Sequence, residues 1–111
     1  MKVKTFKVPL YLGRLIVAFT DDLNIAIKKW NLDTQSDELW ACTFQDGKSV
    51  YCVFDNTMIS PGIIAHEALH ATNRILSGLG YIPDPNNDEA QAYLHSWIVS
   101  KIYEFGNFKL C

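Results

Sequence analysis

Residues 38–55, ELWACTFQDGKSVYCVFD, have the composition of two β-strands around a turn. The two halves, Glu38 to Gln45 and Lys48 to Asp55, are rich in aromatic and β-branched residues, which favour strands. Between them stands Asp46-Gly47, a strong short-range signal for a two-residue turn. The sequence therefore predicts a β-hairpin near the middle of the chain.

The segments before this hairpin predict two strands and a helix. Val3 to Val8 alternates, and Leu15 to Thr20 is a compact apolar run, so both are predicted to be strands joined by a short turn. Asp21 or Asp22 can cap a helix that carries apolar residues at a spacing of three and four and ends near Asn31. That helix is expected to be amphipathic.

Two more helices are predicted after the hairpin. Ser60 supplies an N-cap and Pro61 suits the first helical position, so a helix is expected to run to Ser77. Asn87 can cap a last helix that runs from Asp88 to about Phe105. The order β-β-α-β-β-α-α predicts an α+β fold with an antiparallel or mixed sheet.

Length and charge limit the function classes. The 111 residues fit a single domain with one core, spanning 1–111. The net charge is −2 and the lysines are scattered, so no nucleic-acid partner is expected. The chain has no Gly-rich phosphate loop, so a nucleotide cofactor is not expected either.

The apolar stretch Val8 to Phe19 follows three lysines and has to be tested as a secretory signal. Pro9 and Gly13 interrupt the stretch, Asp21 and Asp22 close it, and no small-x-small cleavage site follows. Nothing approaches the roughly 20 apolar residues of a membrane helix. The expectation is a cytoplasmic protein without a membrane partner.

The three cysteines are Cys42, Cys52 and Cys111, an odd number without Cys-x-x-Cys spacing, which suits a reducing compartment. With a two-residue turn at Asp46-Gly47, Cys42 faces Tyr51 and Cys52 faces Ala41, which places the two thiols on opposite faces of the hairpin. A loop one residue longer would shift this register, so a Cys42–Cys52 bridge stays open.

The segment His66-Glu67-Ala68-Leu69-His70 carries the strongest chemical signal. Positions four apart lie on one face of a helix, so His66 and His70 can chelate one metal ion. Glu67 is offset by about 100° and can take a proton from a metal-bound water. The alternative is a surface helix whose two histidines hydrogen-bond water.

A catalytic zinc ion usually has three protein ligands, so a third ligand is expected downstream. Glu89 is the first choice, because it shares a polar strip of the last helix with Tyr93 and Ser96. His95 is the competing nitrogen ligand, although it projects about 120° away from Glu89. Asp88 is the other carboxylate, and it is better suited to stabilise the helix N-terminus.

These two segments together resemble the gluzincin clan of zinc peptidases. The match covers about Leu39 to Val99, with His66-Glu67-Ala68-Leu69-His70 followed by Asn87-Asp88-Glu89-Ala90-Gln91-Ala92-Tyr93. The resemblance implies a small zincin-like domain, Zn²⁺ held by His66, His70 and Glu89, and a peptide or protein substrate. Within that clan the chain is similar to the small gluzincin-type proteins that bacteria and their phages encode.

Two departures from zincin patterns are visible. Tyr93 stands where the clan often carries a second-shell aspartate. Asn73 and Leu76 occupy the places that the metzincin extension gives to glycine and histidine, which excludes that family. Tyr93, Tyr81 and Asn73 are candidates to contact the developing oxyanion, and Tyr93 is the first choice.

The function expected from the sequence is a zinc-dependent hydrolase, most specifically a peptidase with Glu67 as general base. The alternative is a non-catalytic protein-binding module with a structural or vestigial zinc site. A structural site would close the fourth position with a protein ligand, whereas a catalytic site would leave it open.

Overall fold

The computed structural model describes residues 1–11, 13–32 and 40–108. The elements are β1 (Lys2–Lys7), β2 (Arg14–Thr20), α1 (Leu23–Trp30), β3 (Ala41–Asp46), β4 (Ser49–Asp55), α2 (Pro61–Ser77) and α3 (Glu89–Gly106). This confirms the predicted order of strands and helices. Glu38 and Leu39, predicted to begin the third strand, lie outside the described residues, as does Cys111.

The four strands form one mixed sheet in the order β1-β2-β4-β3. β1 and β2 are antiparallel, β3 and β4 are antiparallel, and β2 pairs with β4 in parallel. The α+β class is thereby confirmed, and β1 and β3 are the edge strands. Within the described ranges, no helix has both the length and the apolar character needed to cross a membrane.

Alternating residues of the strands contribute to two hydrophobic cores, one on each face of the sheet. On one face, Leu15, Val17 and Phe54 are buried together with residues of α2 and α3 such as Ile64 and Ile98. The other face is covered by α1, whose buried residues pack against the sheet; this second core contains Ala18, Leu23, Ala26 and Val53. The sheet is therefore sandwiched between helices.

The register of the β3–β4 hairpin differs from the prediction. Asp46 pairs with Ser49, so the turn residues are Gly47 and Lys48, not Asp46 and Gly47. Gly47 has a φ of +60° and Lys48 is not among the residues with positive φ, which suits a type II′ turn with glycine at its first central position. The turn begins one residue later because glycine takes the position that requires positive φ.

The cross-strand partners of the two cysteines in the hairpin follow from this register. Cys42 pairs with Val53 and Cys52 pairs with Thr43, so the predicted partners were wrong while the placement on opposite faces is confirmed. Cys42 and Cys52 are free thiols.

The start of α3 also differs by one residue. Its N-cap is Asp88, without a side-chain cap hydrogen bond, whereas Asn87 was the predicted cap. Asn87 instead belongs to the preceding turn, because its N–H donates to Asp84 and its carbonyl accepts the hydroxyl of Tyr81. Glu89 is the first residue of the helix.

Candidate metal centre

Helix α2 is fixed at its N-terminus and along its apolar face. The hydroxyl of Ser60 accepts the N–H of Ile63 at 3.2 Å, and Pro61 opens the helix. The helix has one apolar stripe, which is buried against the sheet; its members are Ile64, Ala68, Ala71 and Ile75. The opposite side of the helix is therefore held towards solvent in a defined orientation.

His66 and His70 lie on that exposed side. Their Nε2 atoms are 3.2 Å apart and the two rings stand at 78° to each other. Two nitrogens that each lie about 2.0–2.1 Å from one tetrahedral zinc ion are about 3.3 Å apart, so the separation of this pair matches that of two ligands of a single ion. The donor set of neutral imidazoles also suits zinc.

Glu67 completes a group in which the candidate ligand atoms of all three residues lie within 4.8 Å of one another. Unlike the histidines it is buried, with a relative exposure of 7%. The hydroxyl of Thr43 on β3 donates to its Oε2 at 3.1 Å and also lies 3.3 Å from its backbone carbonyl. The carboxylate is thus held between α2 and the edge strand, next to the histidines.

Thr43 was not singled out from the sequence. A signal was nevertheless present, because Thr43 is a polar residue between apolar neighbours on its face of the hairpin, where Ala41, Cys52 and Phe54 are buried and Gln45 stands at the end of the strand. What the sequence does not contain is the position of α2 over this face, which brings Glu67 to the hydroxyl.

The candidate third ligands are placed differently. Glu89 is an exposed residue in the first turn of α3, and Asp88 is its exposed N-cap. Neither belongs to the group formed by the two histidines and Glu67. His95 of α3 contacts α2 beside the motif. Its Nε2–H donates to the carbonyl of Ala65 at 3.1 Å. Glu89 as a ligand stays a prediction.

The buried residues of α3 fix its orientation against the core; they are Leu94, Ile98 and Ile102. Gln91 and His95, four residues apart, lie on the same side of the helix. Gln91 Nε2 donates to Asn73 Oδ1 of α2 at 2.7 Å. Glu89 precedes Gln91 by two residues and is therefore rotated by about 200° from it around the helix axis. The face of α3 turned towards α2 is the one that carries Gln91 and His95.

The oxyanion candidates are spread out. Tyr93 is 73% exposed on α3. Tyr81 donates its hydroxyl proton to Asn87, and Asn73 uses its Oδ1 for Gln91, which leaves the Asn73 amide hydrogens to donate elsewhere. Of the three, Asn73 lies on the same helix as the histidines.

A cavity of about 450 Å³ adjoins His70. It is lined by Gln45, His70, Asn73, Arg74, Ser77 and Gly78. Arg74 is the charged residue of this lining, and the other side chains are polar and can donate hydrogen bonds. The space beside the histidine pair therefore favours an anionic or polar group.

The two described cysteines are poor metal ligands or nucleophiles. Burial raises the pKa of the Cys42 thiol to about 11, and the negative charge of Glu67 adds to the rise. Burial raises the pKa of Cys52 to about 12, against a smaller lowering by the hydrogen bond from Thr43. Since the thiolate is the reactive and metal-binding form, both thiols are inert at neutral pH.

We compared the chain with protein-family models, with curated proteins and with solved structures, and none of the three comparisons gave a match. A functional assignment therefore depends on the geometry around His66, Glu67 and His70, together with the motif resemblance.

Proposed function

We propose that this protein is a zinc-dependent hydrolase that cleaves peptide bonds. The observation that carries the proposal is the convergence of His66 and His70, with Nε2 atoms 3.2 Å apart, beside the buried carboxylate of Glu67. Two exposed imidazoles and one buried, oriented carboxylate provide separate groups for holding a metal and for moving a proton.

In this proposal His66 and His70 hold the ion, and Glu89 is the third ligand that the motif resemblance implies. Because Glu89 lies about 200° around α3 from Gln91, which faces α2, its binding requires the first turn of α3 to change its orientation. A zinc ion held there would lower the pKa of a coordinated water towards neutrality and would polarise a substrate carbonyl. Glu67 accepts the proton of the attacking water and passes it to the leaving amine. Thr43 occupies Oε2 of Glu67 and so leaves Oε1 to handle the proton. Tyr93 is the proposed contact to the oxyanion.

In the part of the chain that the structure describes, no strand pairs with the outer edge of β3, which supports an extended peptide as the substrate. The hydrogen bond from Asp55 N–H to the Trp40 carbonyl sets the phase of the β3–β4 ladder, so the alternate residues Ala41, Thr43 and Gln45 direct their backbone groups away from β4. A peptide that pairs with those groups adds a strand beside Glu67. The edge strand of the hairpin, β3, is therefore the proposed substrate-binding strand.

The cavity beside His70 supports a preference for acidic substrates. Arg74 is four residues after His70, so both side chains lie on nearby parts of the same helix face. A carboxylate of the bound peptide, on a side chain or at its C-terminus, pairs with the Arg74 guanidinium in this cavity.

We also propose a cytoplasmic location. Cys42 and Cys52 are free thiols on opposite faces of the sheet, as suits a reducing compartment.

Elemental analysis of the purified protein tests the metal assignment. We expect about one equivalent of zinc in the wild type, retained in Glu67→Gln and His95→Ala and lost in His66→Ala and Glu89→Gln. Glu67→Gln is then expected to abolish peptide hydrolysis while keeping the metal. His95→Ala is the matched control, because it removes an imidazole next to the motif without removing an assigned ligand.

Three results would change the assignment. A wild type that takes up no zinc on incubation overturns the metal centre. Zinc lost in His95→Ala and kept in Glu89→Gln moves the third ligand to His95. Zinc that requires both residues indicates a closed, structural site and favours the non-catalytic protein-binding module.

A further inference from the structure

A second cavity, of about 690 Å³, lies on the sheet face opposite to the metal centre. It is lined by Thr5, Lys7, Gly13, Arg14, Lys48 and Ser49. The strand pairing places Thr5, Lys7, Arg14 and Ser49 on the face that α1 covers further along, whereas Thr43 and Glu67 are on the other face. The cavity is therefore separate from the proposed active site.

The lining contains three cations, two hydroxyl groups and no carboxylate. Among residues 1–11, 13–32 and 40–108, the one ion pair is Lys101–Glu104, so Lys7, Arg14 and Lys48 are not neutralised by an acidic partner there. The nearest acid in the strand register is Asp46, which is opposite Ser49 and does not line the cavity. Because the whole chain carries a net charge of −2, this positive cluster is a local feature.

The arrangement of the cluster is unfavourable by itself. Lys7 and Arg14 are directly opposite each other in the β1–β2 ladder. Like charges in a directly opposed cross-strand pair are destabilising. A local rule broken in this way is typical of positions that serve a ligand.

Backbone contacts of Gly13 and Arg14 hold a third cation, Lys48, next to this pair. Arg14 N–H donates to the carbonyl of Lys48 at 2.9 Å, which holds the two residues side by side. Gly13 has a φ of +128°, and a Cβ at this position would be 2.6 Å from the same carbonyl oxygen. A residue without a side chain is thus required for the close approach of the β1–β2 connection to Lys48.

We propose that this cavity is a binding site for a phosphate group, free or as the ester of a small molecule. The Arg14 guanidinium offers a planar pair of N–H donors to two phosphate oxygens, and Lys7 and Lys48 supply compact positive charges. The hydroxyls of Thr5 and Ser49 donate the remaining hydrogen bonds. A bound dianion offsets the repulsion between Lys7 and Arg14. The site does not depend on the proposed peptidase activity.

Titration with inorganic phosphate, and separately with phenyl phosphate, tests the site in a chloride buffer of low ionic strength. We expect saturable amide chemical-shift changes in Gly13, Arg14 and Ser49 by NMR. Arg14→Gln should weaken binding by about tenfold, because it removes charge-assisted hydrogen bonds. Lys4→Gln is the matched control: it makes the same charge change on the neighbouring strand β1, on the opposite face of the sheet.

The two ligands distinguish the sources of the phosphate group. Saturation by both supports the site for free phosphate, and tighter binding of the ester assigns it to a phosphorylated small molecule. No saturable change with either ligand overturns the proposal. Equal weakening by Arg14→Gln and Lys4→Gln also overturns it, since that result is a general charge effect.

Thermal unfolding of Lys7→Gln provides a second measurement that does not depend on the fold surviving loss of Arg14. Without phosphate, Lys7→Gln should unfold at a higher temperature than the wild type, because the like-charge pair is gone. With phosphate, the wild type should gain stability and Lys7→Gln should gain less. A lower unfolding temperature of Lys7→Gln without phosphate contradicts the repulsion on which the proposal rests.

Discussion

The hydroxyl of Thr43 donates to Oε2 of Glu67 across the space between the edge strand and the motif helix, at 3.1 Å. Thr43 thus links two parts of the proposed site. It lies on β3, the strand proposed to bind the substrate, and it bonds to Glu67, the carboxylate proposed to move the proton. Its replacement by valine keeps the shape and removes the donor, which leaves a buried carboxylate oxygen without its partner.

Thr43→Val is therefore expected to lower the free energy of unfolding by about 1–3 kcal/mol, measured by urea denaturation. It should also lower kcat without changing zinc content, because the carboxylate loses its orientation and the histidines are untouched. Thr43→Ser restores the hydroxyl and should recover most of both. A kcat of Thr43→Val equal to that of the wild type would remove Thr43 from the proposed machinery.

Zinc should stabilise the fold through the histidine pair. A ligand that binds only the folded state raises stability by an amount that grows with its concentration above Kd. We expect zinc to raise the Tm of the wild type and of His95→Ala, and to leave His66→Ala unchanged, as followed by circular dichroism. A zinc-induced rise in His66→Ala of the same size as in the wild type would assign the metal to other residues.

The buried thiols predict a loss of stability at alkaline pH. The pKa of Cys42 is raised from 9.0 to about 11 on folding, so between these values the unfolded chain has released the proton and the folded protein still holds it. Unfolding then releases a proton, and rising pH favours unfolding. The contribution is fully present below pH 9.0 and is lost as the pH rises through about 11.

Cys42→Ala should consequently show a shallower fall in the free energy of unfolding over that pH range than the wild type. The comparison isolates the thiol, since lysines and tyrosines titrate alike in both proteins. Parallel curves for the two proteins would show that the thiol pKa is not raised by folding.

Arg74 should decide the response to substrate charge. Arg74→Gln is expected to raise KM for peptides with a carboxylate at the position next to His70 by about tenfold, because one charge-assisted pair is lost. KM for neutral peptides should stay the same. Lys101→Gln, which removes a cation of α3 paired with Glu104, is the control and should affect neither class. An equal rise for acidic and neutral peptides would remove the specificity role.

Gly13→Ala should destabilise the protein more than Gly80→Ala. Both glycines have positive φ, but the added Cβ meets the Lys48 carbonyl oxygen at Gly13 and nothing within 4 Å at Gly80. A non-glycine residue in the left-handed region costs about 1–2 kcal/mol, which is the loss expected at Gly80, where φ is +79°. The larger loss expected at Gly13, measured by urea denaturation, combines the steric contact with a φ of +128°, which is further from that region. Equal losses would mean that the β1–β2 connection moves away from Lys48 at little cost.

Local signals in the sequence were sufficient to predict the strands and helices. Caps such as Ser60, and the apolar periodicity of each segment, predicted the order of the strands and helices and most of their boundaries to within one residue. The hairpin turn was predicted one residue too early, because Asp46-Gly47 suggested a turn centred on both residues, and each cross-strand partner is therefore shifted by two residues. In the structure, glycine is the first turn residue and Lys48 the second.

The site was less accessible from the sequence, because it depends on how elements pack. The i,i+4 spacing alone brings His66 and His70 together. The rotation of α3 follows its apolar residues, since Leu94, Ile98 and Ile102 are buried. What the pattern of α3 does not show is which residues of α2 it meets, such as the Asn73 side chain bonded to Gln91. The basic cluster was likewise invisible: Lys7, Arg14 and Lys48 are scattered in sequence and meet only through the strand pairing and the glycine contact.

The parallel pairing of β2 with β4 has a consequence for the order of folding. β1–β2 and β3–β4 are each local hairpins. In the described sheet, the pairing of β2 with β4 is what joins one hairpin to the other. Non-local pairing is slow relative to local contacts, because the chain entropy is lost before the contacts form. Thr43, His66, Glu67 and His70 all belong to the continuous segment from β3 to α2, whereas Glu89 and His95 are on α3. The histidine pair and its carboxylate can thus assemble early, within one local unit, and α3 supplies any further ligand when the two hairpins dock.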